Sequence, residues 1–213
     1  MNENVKNKNN DDILFENNWV IYDHTKMVDY KIGFNPILKI GSVFEFWIAY
    51  EKLPRPYEFF YTKSHGSSRP YYLLDGEHRE VSSISVFREG IFPSWEDPQN
   101  AEGGILEYRI NTNTHNTHNT HNTNNINFFN ILDKYWLFLC MYIMGHHYPD
   151  EVTGFRIVDS SIISQIKELY KIEIWMSNLG VSKQVETLFR KQFELTPENR
   201  ISIKKHKNPN IGH

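Results

Sequence analysis

The sequence predicts an α+β fold: a curved antiparallel sheet with three helices on its convex face and a concave face left open for ligand. Short aromatic and β-branched runs recur along the chain, each bounded by turn residues. Three stretches, at 42–53, 130–144 and 182–193, instead carry helical apolar spacing with start and stop signals. The connections between strands are of hairpin type. The 213 residues are 39% hydrophobic and 15% aromatic, enough for one domain with a full core. That domain is placed at residues 13–207, between an Asn-rich polar tail over 1–12, expected to be disordered, and a short tail over 208–213.

Asn18-Trp19-Val-Ile-Tyr22-Asp23 reads as the first strand, ended by Asp23-His24. Tyr30 to Phe34 reads as strand or loop, and Ile37-Leu-Lys-Ile40 as a brief strand. Ser42 opens the clearest helix: with Glu45 it forms a capping box, and Pro54 stops the helix after Leu53. Phe46, Tyr50 and Leu53 suffice for a core stripe, while Val43 and Trp47, at i and i+4, share a neighbouring face. A helix this apolar is either simply buried or has a second surface to cover. Residues 54–83 read as an irregular insertion containing one strand-like run, Tyr71-Tyr-Leu-Leu74. Ile84–Phe87 and Ile105–Ile110 read as strands.

The stretch 111–127 repeats Asn-Thr-His and reads as a low-complexity loop; its His115, His118 and His121 fit a slippage insert better than a metal site. Asn130 to Met144 reads as the second helix, ended by Gly145. Leu132, Tyr135, Trp136 and Leu139 supply its core face, and Leu137, Met141 and Met144 extend around it. Val152–Asp159 reads as a strand, whereas Ser160–Tyr170 gives no clear pattern. Lys171-Ile-Glu-Ile-Trp175 alternates, placing Lys171, Glu173 and Trp175 on one face. A third helix follows from Ser182 to Phe193, with Val185, Leu188, Phe189 and Phe193 as its stripe, and Ile201–Ile203 reads as a last strand.

The net charge of -3 excludes an overall basic surface for long nucleic acid, so any such contact is local. A single cysteine, Cys140, forms no internal disulfide and suits a reducing compartment. The first residues lack the apolar segment of a secretion signal. The run Tyr135–Met144 is too short to cross a bilayer. Together these imply a cytosolic protein without membrane contact. No nucleophile stands with a base at motif spacing, and no phosphate-cradling glycine loop carries its lysine. The sequence therefore implies a binding protein with no cofactor and no metal, rather than an enzyme.

The stretch most suggestive of chemistry is Phe87-Arg-Glu-Gly-Ile-Phe-Pro-Ser-Trp95-Glu96-Asp97. Gly90, Pro93, Pro98 and Gly103-Gly104 mark it as a loop. A flat ring beside a carboxylate suits a flat cation carrying N–H donors, because the ring face attracts delocalised charge and the carboxylate accepts paired, charge-assisted bonds. A guanine methylated at N7 has both properties. The tripeptide alone fits an ordinary turn better.

In sequence order, this loop and three other motifs resemble the eukaryotic translation initiation factor 4E family of mRNA cap-binding proteins. The loop resembles F-K-D/E-G-I-x-P-M-W-E-D and continues into Asn100 and Gly103-Gly104 like the family's N-x-x-G-G. Ser42-Val-Phe-Glu-Phe-Trp47 resembles S/T-V-E-x-F-W, Leu132-Asp-Lys-Tyr-Trp-Leu137 resembles L-D-x-x-W-L, and Lys171–Trp175 resembles K-I-x-I-W. The resemblance implies that 7-methylguanosine, as m7GTP or the capped mRNA 5′ end, stacks between Trp95 and an aromatic seventeen residues before Trp47, which is Tyr30. It implies that Glu96 reads the guanine N1–H and N2–H edge, that Trp175 lies near the N7 methyl, and that Lys171 contacts phosphate. Tyr at position 30 is similar to class II members, several of which repress translation.

The resemblance also implies a dorsal docking surface formed by Val43, Trp47 and Leu137, with Leu14 where the family has Pro. Its partners would be a 4G-type scaffold or 4E-binding proteins carrying a Tyr-x-x-x-x-Leu-Φ helix. Some positions depart from the pattern. The family's phosphate-binding Arg, six residues after a Gly, falls on Ser160, and Ile105 replaces another Arg. Glu173 adds a negative charge expected to oppose a triphosphate. These departures leave initiation factor, cap-binding repressor and protein-interaction scaffold as alternatives.

Overall fold

The computed structural model describes residues 12–26, 32–60, 81–111, 124–160 and 169–206. Seven antiparallel strands form one sheet: β1 (Leu14–Lys26), β2 (Ile32–Ser42), β3 (Val81–Arg88), β4 (Gly104–Asn111), β5 (Val152–Asp159), β6 (Leu169–Met176) and β7 (Ile201–Lys205). Their spatial order is β2-β1-β3-β5-β6-β4-β7. The sheet is curved and open, as expected of the α+β class.

One face is apolar and covered. Ile21, Val86, Phe155, Ile174 and Leu106 lie in register across five strands and are buried. Against them pack α1 (Val43–Lys52) through Phe46 and Ala49, α4 (Asn124–Leu139) through Leu132 and Leu139, and α5 (Ser182–Gln192) through Val185 and Phe189. Ring contacts among Tyr108, Tyr135 and Phe189 fix α4 and α5 over β4. Fully buried aromatics of this size each contribute about 3–5 kcal/mol when truncation is the reference.

The start signal of the first helix is borne out. The Ser42 hydroxyl accepts from the Glu45 N–H. Glu45 reaches back to the N–H of Gly41, one residue earlier than in the usual capping box. Asp12 caps the same helix by accepting from the Phe44 N–H, so this residue of the expected tail is part of the fold. Past Leu139 the helix widens into a π turn over Cys140–Met144 and stops at Gly145. That turn carries Met144 into the core, where the sequence placed it on an outer face.

Several other expectations are corrected. Two short helices join the three expected ones. The first is α2 (Pro56–Phe60), inside the supposed irregular stretch, with Phe60 buried in the core. The second is α3 (Pro98–Ala101), after the Trp95 loop. Helix α4 begins at Asn124, within the stretch read as loop, because extending a packed helix costs far less than nucleating one. β1 does not end at Asp23-His24. Both side chains are buried in hydrogen bonds: Asp23 accepts from Asn35, and His24 pairs with Ser85 at 2.6 Å. Burial holds the His24 pKa down at about 2, so the ring is neutral. β2 runs unbroken through Pro36, which an edge strand tolerates. Residues 71–74, Tyr30 and the His repeat lie outside the described residues.

The opposite face carries no packed helix among the described residues. Its side chains follow from register, since paired residues share a face. One row is Val20, Phe87, Gly154, Trp175, Ile105 and Lys204. The next is Tyr22, Ser85, Arg156, Glu173, Glu107 and Ser202, and a third is His24, Ser83, Val158, Lys171 and Arg109. In the first row Gly154 is a gap that Phe87 fills on its way to Trp175, whose ring centroid is 5.5 Å away. A Cβ on Gly154 would lie 2.6 and 2.7 Å from two Phe87 ring carbons and 2.4 Å from the Val86 carbonyl oxygen.

Gly154→Ala should therefore destabilise the fold by about 1–3 kcal/mol, the usual cost of overpacking a rigid neighbour. Urea denaturation checks this; unchanged stability would mean that Phe87 does not lie over Gly154.

Candidate functional site

The open face is built around charges. Glu173 is only 1% exposed. Its carboxylate accepts from the Arg156 guanidinium, with Nε at 2.7 Å and a terminal nitrogen at 2.6 Å, and pairs with Lys171 Nζ at 2.7 Å. The Trp175 indole N–H donates to the same carboxylate at 3.3 Å. Burial works to raise the Glu173 pKa, but Arg156 and Lys171 outweigh it and hold it below the ordinary 4.5. Glu107, next in the row, takes Lys204 at 2.8 Å, Arg109 at 2.9 Å and Lys171 at 3.8 Å. Burial opposes ionisation there too and is overcome by Lys204 and Arg109, then Lys171. Two buried carboxylates thus organise four cations.

This corrects the sequence reading twice. Glu173 is not a bare charge set against a phosphate chain, because Arg156 and Lys171 neutralise it. Arg156 itself was missed: counting from Gly154 to Ser160 found no Arg, whereas the residue two after Gly154 shares the face of Lys171 and Trp175. Its guanidinium carbon also lies 5.3 Å from the Trp175 ring centre. Strand parity in β5 contained this signal, but only the pairing of Arg156 with Glu173 reveals it.

Trp175 is nearly buried between Phe87, Arg156 and the His206 ring at 4.6 Å. It can offer an edge or a floor, not a free face. Burial lowers the His206 pKa, with Glu173 opposing and Arg156 assisting. Above this floor Tyr22, Phe34 and Phe92 make an aromatic cluster with ring centroids 5.0–6.1 Å apart.

The Trp95 loop is held by residues other than those that could bind. Asp97 accepts from the Phe92 N–H at 2.7 Å and the Gln99 N–H at 2.9 Å. Buried Asn100 donates to the carbonyls of Phe92 and Ser94 and accepts from Thr153 on β5. Trp95 remains 36% exposed, and Glu96 is exposed with the Ser94 hydroxyl as a hydrogen-bond partner. An aromatic face and a carboxylate are therefore displayed on a fixed loop. The structure brings Lys171 and Trp175 together with Arg156. Trp95 and Glu96 share their own loop, and Tyr30 lies outside the described residues.

On the helical side, Trp47 is 43% exposed and packs edge-on against Phe46 and Tyr50. Val43 and Leu137 are half-buried, and Leu14 is 75% exposed. Phe44, Ile48, Met141 and Tyr142 add exposed apolar surface on α1 and the end of α4. No described helix is long and apolar enough to cross a membrane.

The family model for eukaryotic initiation factor 4E matches residues 14–211. The chain is 25% identical over 173 residues to a Candida albicans eukaryotic translation initiation factor 4E, covering 80% of this chain and 66% of that one. It is 24% identical over 191 residues to the Schizosaccharomyces pombe factor 4E-2, covering 88% and 63%. The chain thus spans slightly less than two thirds of these relatives. Among solved structures, Ascaris suum eIF4E-3 in complex with m7G cap superposes with a TM-score of 0.64 at 17% identity, covering 94% and 95% of the two chains. Caenorhabditis elegans eIF4E-3 in complex with the 4E-binding protein Mextli gives 0.62 at 18%, covering 92% and 94%. At these identities the superpositions establish the fold.

The lowered pKa of Glu173 fixes the sign of an acid effect. A carboxyl depressed on folding contributes stability in full above its unfolded value near 4.5, and that contribution is lost as pH falls through the folded value. Stability should fall below about pH 4. Glu173→Gln should be destabilised by about 3 kcal/mol at pH 7, because Arg156 loses its buried counter-charge, and should show a shallower acid slope. Thermal midpoints of both proteins from pH 3 to 7 check this; parallel slopes would contradict it.

Proposed function

This chain belongs to the eukaryotic initiation factor 4E family, and we propose that its open face binds the 7-methylguanosine cap of mRNA for translation initiation. The observation that carries this reading is the Trp95-Glu96 pair, exposed on a loop whose shape Asp97 and Asn100 fix. A fixed ring and acceptor lose little freedom on binding, so more of the interaction appears as affinity. Trp95 and Tyr30 stack the cationic base, and Glu96 accepts its N1–H and N2–H. Trp175 lies by the methyl group, and Lys171 meets the phosphates, with Arg156 beside it.

The charge network favours one variant of this reading. Lys171 is shared between Glu173 and Glu107, so its charge is largely answered before a phosphate arrives. Binding is then dominated by the base, which suits the class II-type alternative in which a cap-binding member restrains translation. The exposed Trp47, with Val43, Leu137 and Leu14, serves as the docking face for a Tyr-x-x-x-x-Leu-Φ helix from a 4G-type scaffold or a 4E-binding protein. A helix anchored on an exposed Trp is a common groove contact. The protein acts by binding.

Titration of m7GTP against GTP, followed by Trp fluorescence, tests the proposal. m7GTP should bind at least tenfold more tightly, since stacking contributes about 1–3 kcal/mol and cation–π attraction up to about 2. Equal affinities would end the cap reading. Glu96→Ala should cost about 1.5–3 kcal/mol of this affinity, and Asp97→Ala less, through loosening of the loop. The reverse ranking would mean that Asp97 is the acceptor.

The docking face is tested separately. Trp47→Ala should lower Tyr-x-x-x-x-Leu-Φ peptide affinity by about 2–4 kcal/mol while leaving m7GTP affinity and the thermal midpoint nearly unchanged. A collapsed midpoint with both activities lost would mark Trp47 as a core residue.

A further inference from the structure

β4 extends past the start of β7: Tyr108 pairs with Ile201, and Arg109 to Asn111 have no β7 partner. An open groove of about 970 Å³ lies at this step, walled by the turn over 196–200. Arg190 builds that wall, donating to the carbonyls of Thr196 at 2.8 Å and Asn199 at 3.2 Å while its Nε pairs with Glu186. The groove is lined by four cations, Arg109, Arg190, Arg200 and Lys204, against two carboxylates, Glu107 and Glu198. Glu107 is already answered by Arg109, Lys204 and Lys171, whereas Arg109, Arg200 and Lys204 reach the surface.

The groove is continuous with the candidate site. Lys171 and Lys204 approach the same Glu107 oxygen, at 3.8 and 2.8 Å. A polyanion leaving Lys171 therefore meets Arg109, directly opposite on β4, with Lys204 and Arg200 in the same groove. The lining offers charges and amides but no exposed aromatic ring; its one aromatic, Tyr108, is buried. The lining thus offers cations to a phosphate backbone and no exposed aromatic ring to the bases.

We propose that this groove carries the phosphate backbone of single-stranded RNA following the cap, read without regard to sequence. The inference rests on the cap reading for its starting point, but its test does not. Three probes are titrated by fluorescence anisotropy or Trp quenching: m7GTP, a capped 12-nucleotide RNA, and the same RNA with a 5′ monophosphate. Wild type is compared with Arg200→Ala and with Arg200→Glu, each checked for an unchanged thermal midpoint.

In wild type the capped RNA should bind at least fivefold more tightly than m7GTP at low salt. Both variants should lose that advantage, bind the uncapped RNA at least fivefold more weakly than wild type, and keep m7GTP within twofold. The salt slope for RNA should fall by about one for each phosphate contact removed. RNA affinities equal to wild type in both variants would overturn the groove. Failure of m7GTP to bind wild type would overturn the cap reading instead, and uncapped RNA would still decide the groove.

Discussion

Glu173 is buried and ionised, and its two oxygens are divided among Arg156, Lys171 and the Trp175 indole. A carboxylate in that position is costly without partners, and removing any one of them leaves a charge in a poor environment. The consequence is rigidity. Arg156 is fixed from β5 and Lys171 and Trp175 from β6, and a slip of the β5–β6 register by one residue would break the Arg156–Glu173 contact, the one of the three that crosses between these strands. A polar open face is thus compatible with a sheet whose other face is largely apolar.

The two faces divide the work. On the covered face, helices α1, α4 and α5 bury one continuous core, and the outer side of α1 still presents Trp47. On the open face, aromatic residues gather where the Trp95 loop folds over Tyr22 and Phe34. Cations gather towards β4 and β7. The aromatic and the cationic parts of the open face are therefore separated along the sheet, with Trp175 and Arg156 at the junction. The two proposed surfaces lie on opposite sides of the sheet.

Local signals made much of this legible. The Ser42 cap, the boundaries of β5 and the alternation from Lys171 to Trp175 all rest on near neighbours in sequence, and each stands as read. Non-local features were hidden. Asp23 and His24 look like strand breakers until Asn35 and Ser85 are placed beside them. Pro36 seems to split a strand until that strand proves to be an edge. Arg156 gave no motif, because its meaning lies in a cross-strand partner seventeen residues away. Asp97 read as a second acid next to Glu96, and only its bonds to the Phe92 and Gln99 N–H groups show it as loop structure.

The chain has five tryptophans: Trp19, Trp47, Trp95, Trp136 and Trp175. Each gives one indole N–H signal, so a single nitrogen–proton correlation spectrum reports the open face, the dorsal face and the core at once. On addition of m7GTP, the signals of Trp95 and Trp175 should shift together and saturate, while those of Trp19, Trp47 and Trp136 stay in place. Movement of Trp47 with Trp95 and Trp175 unmoved would put the nucleotide on the helical side and contradict the account.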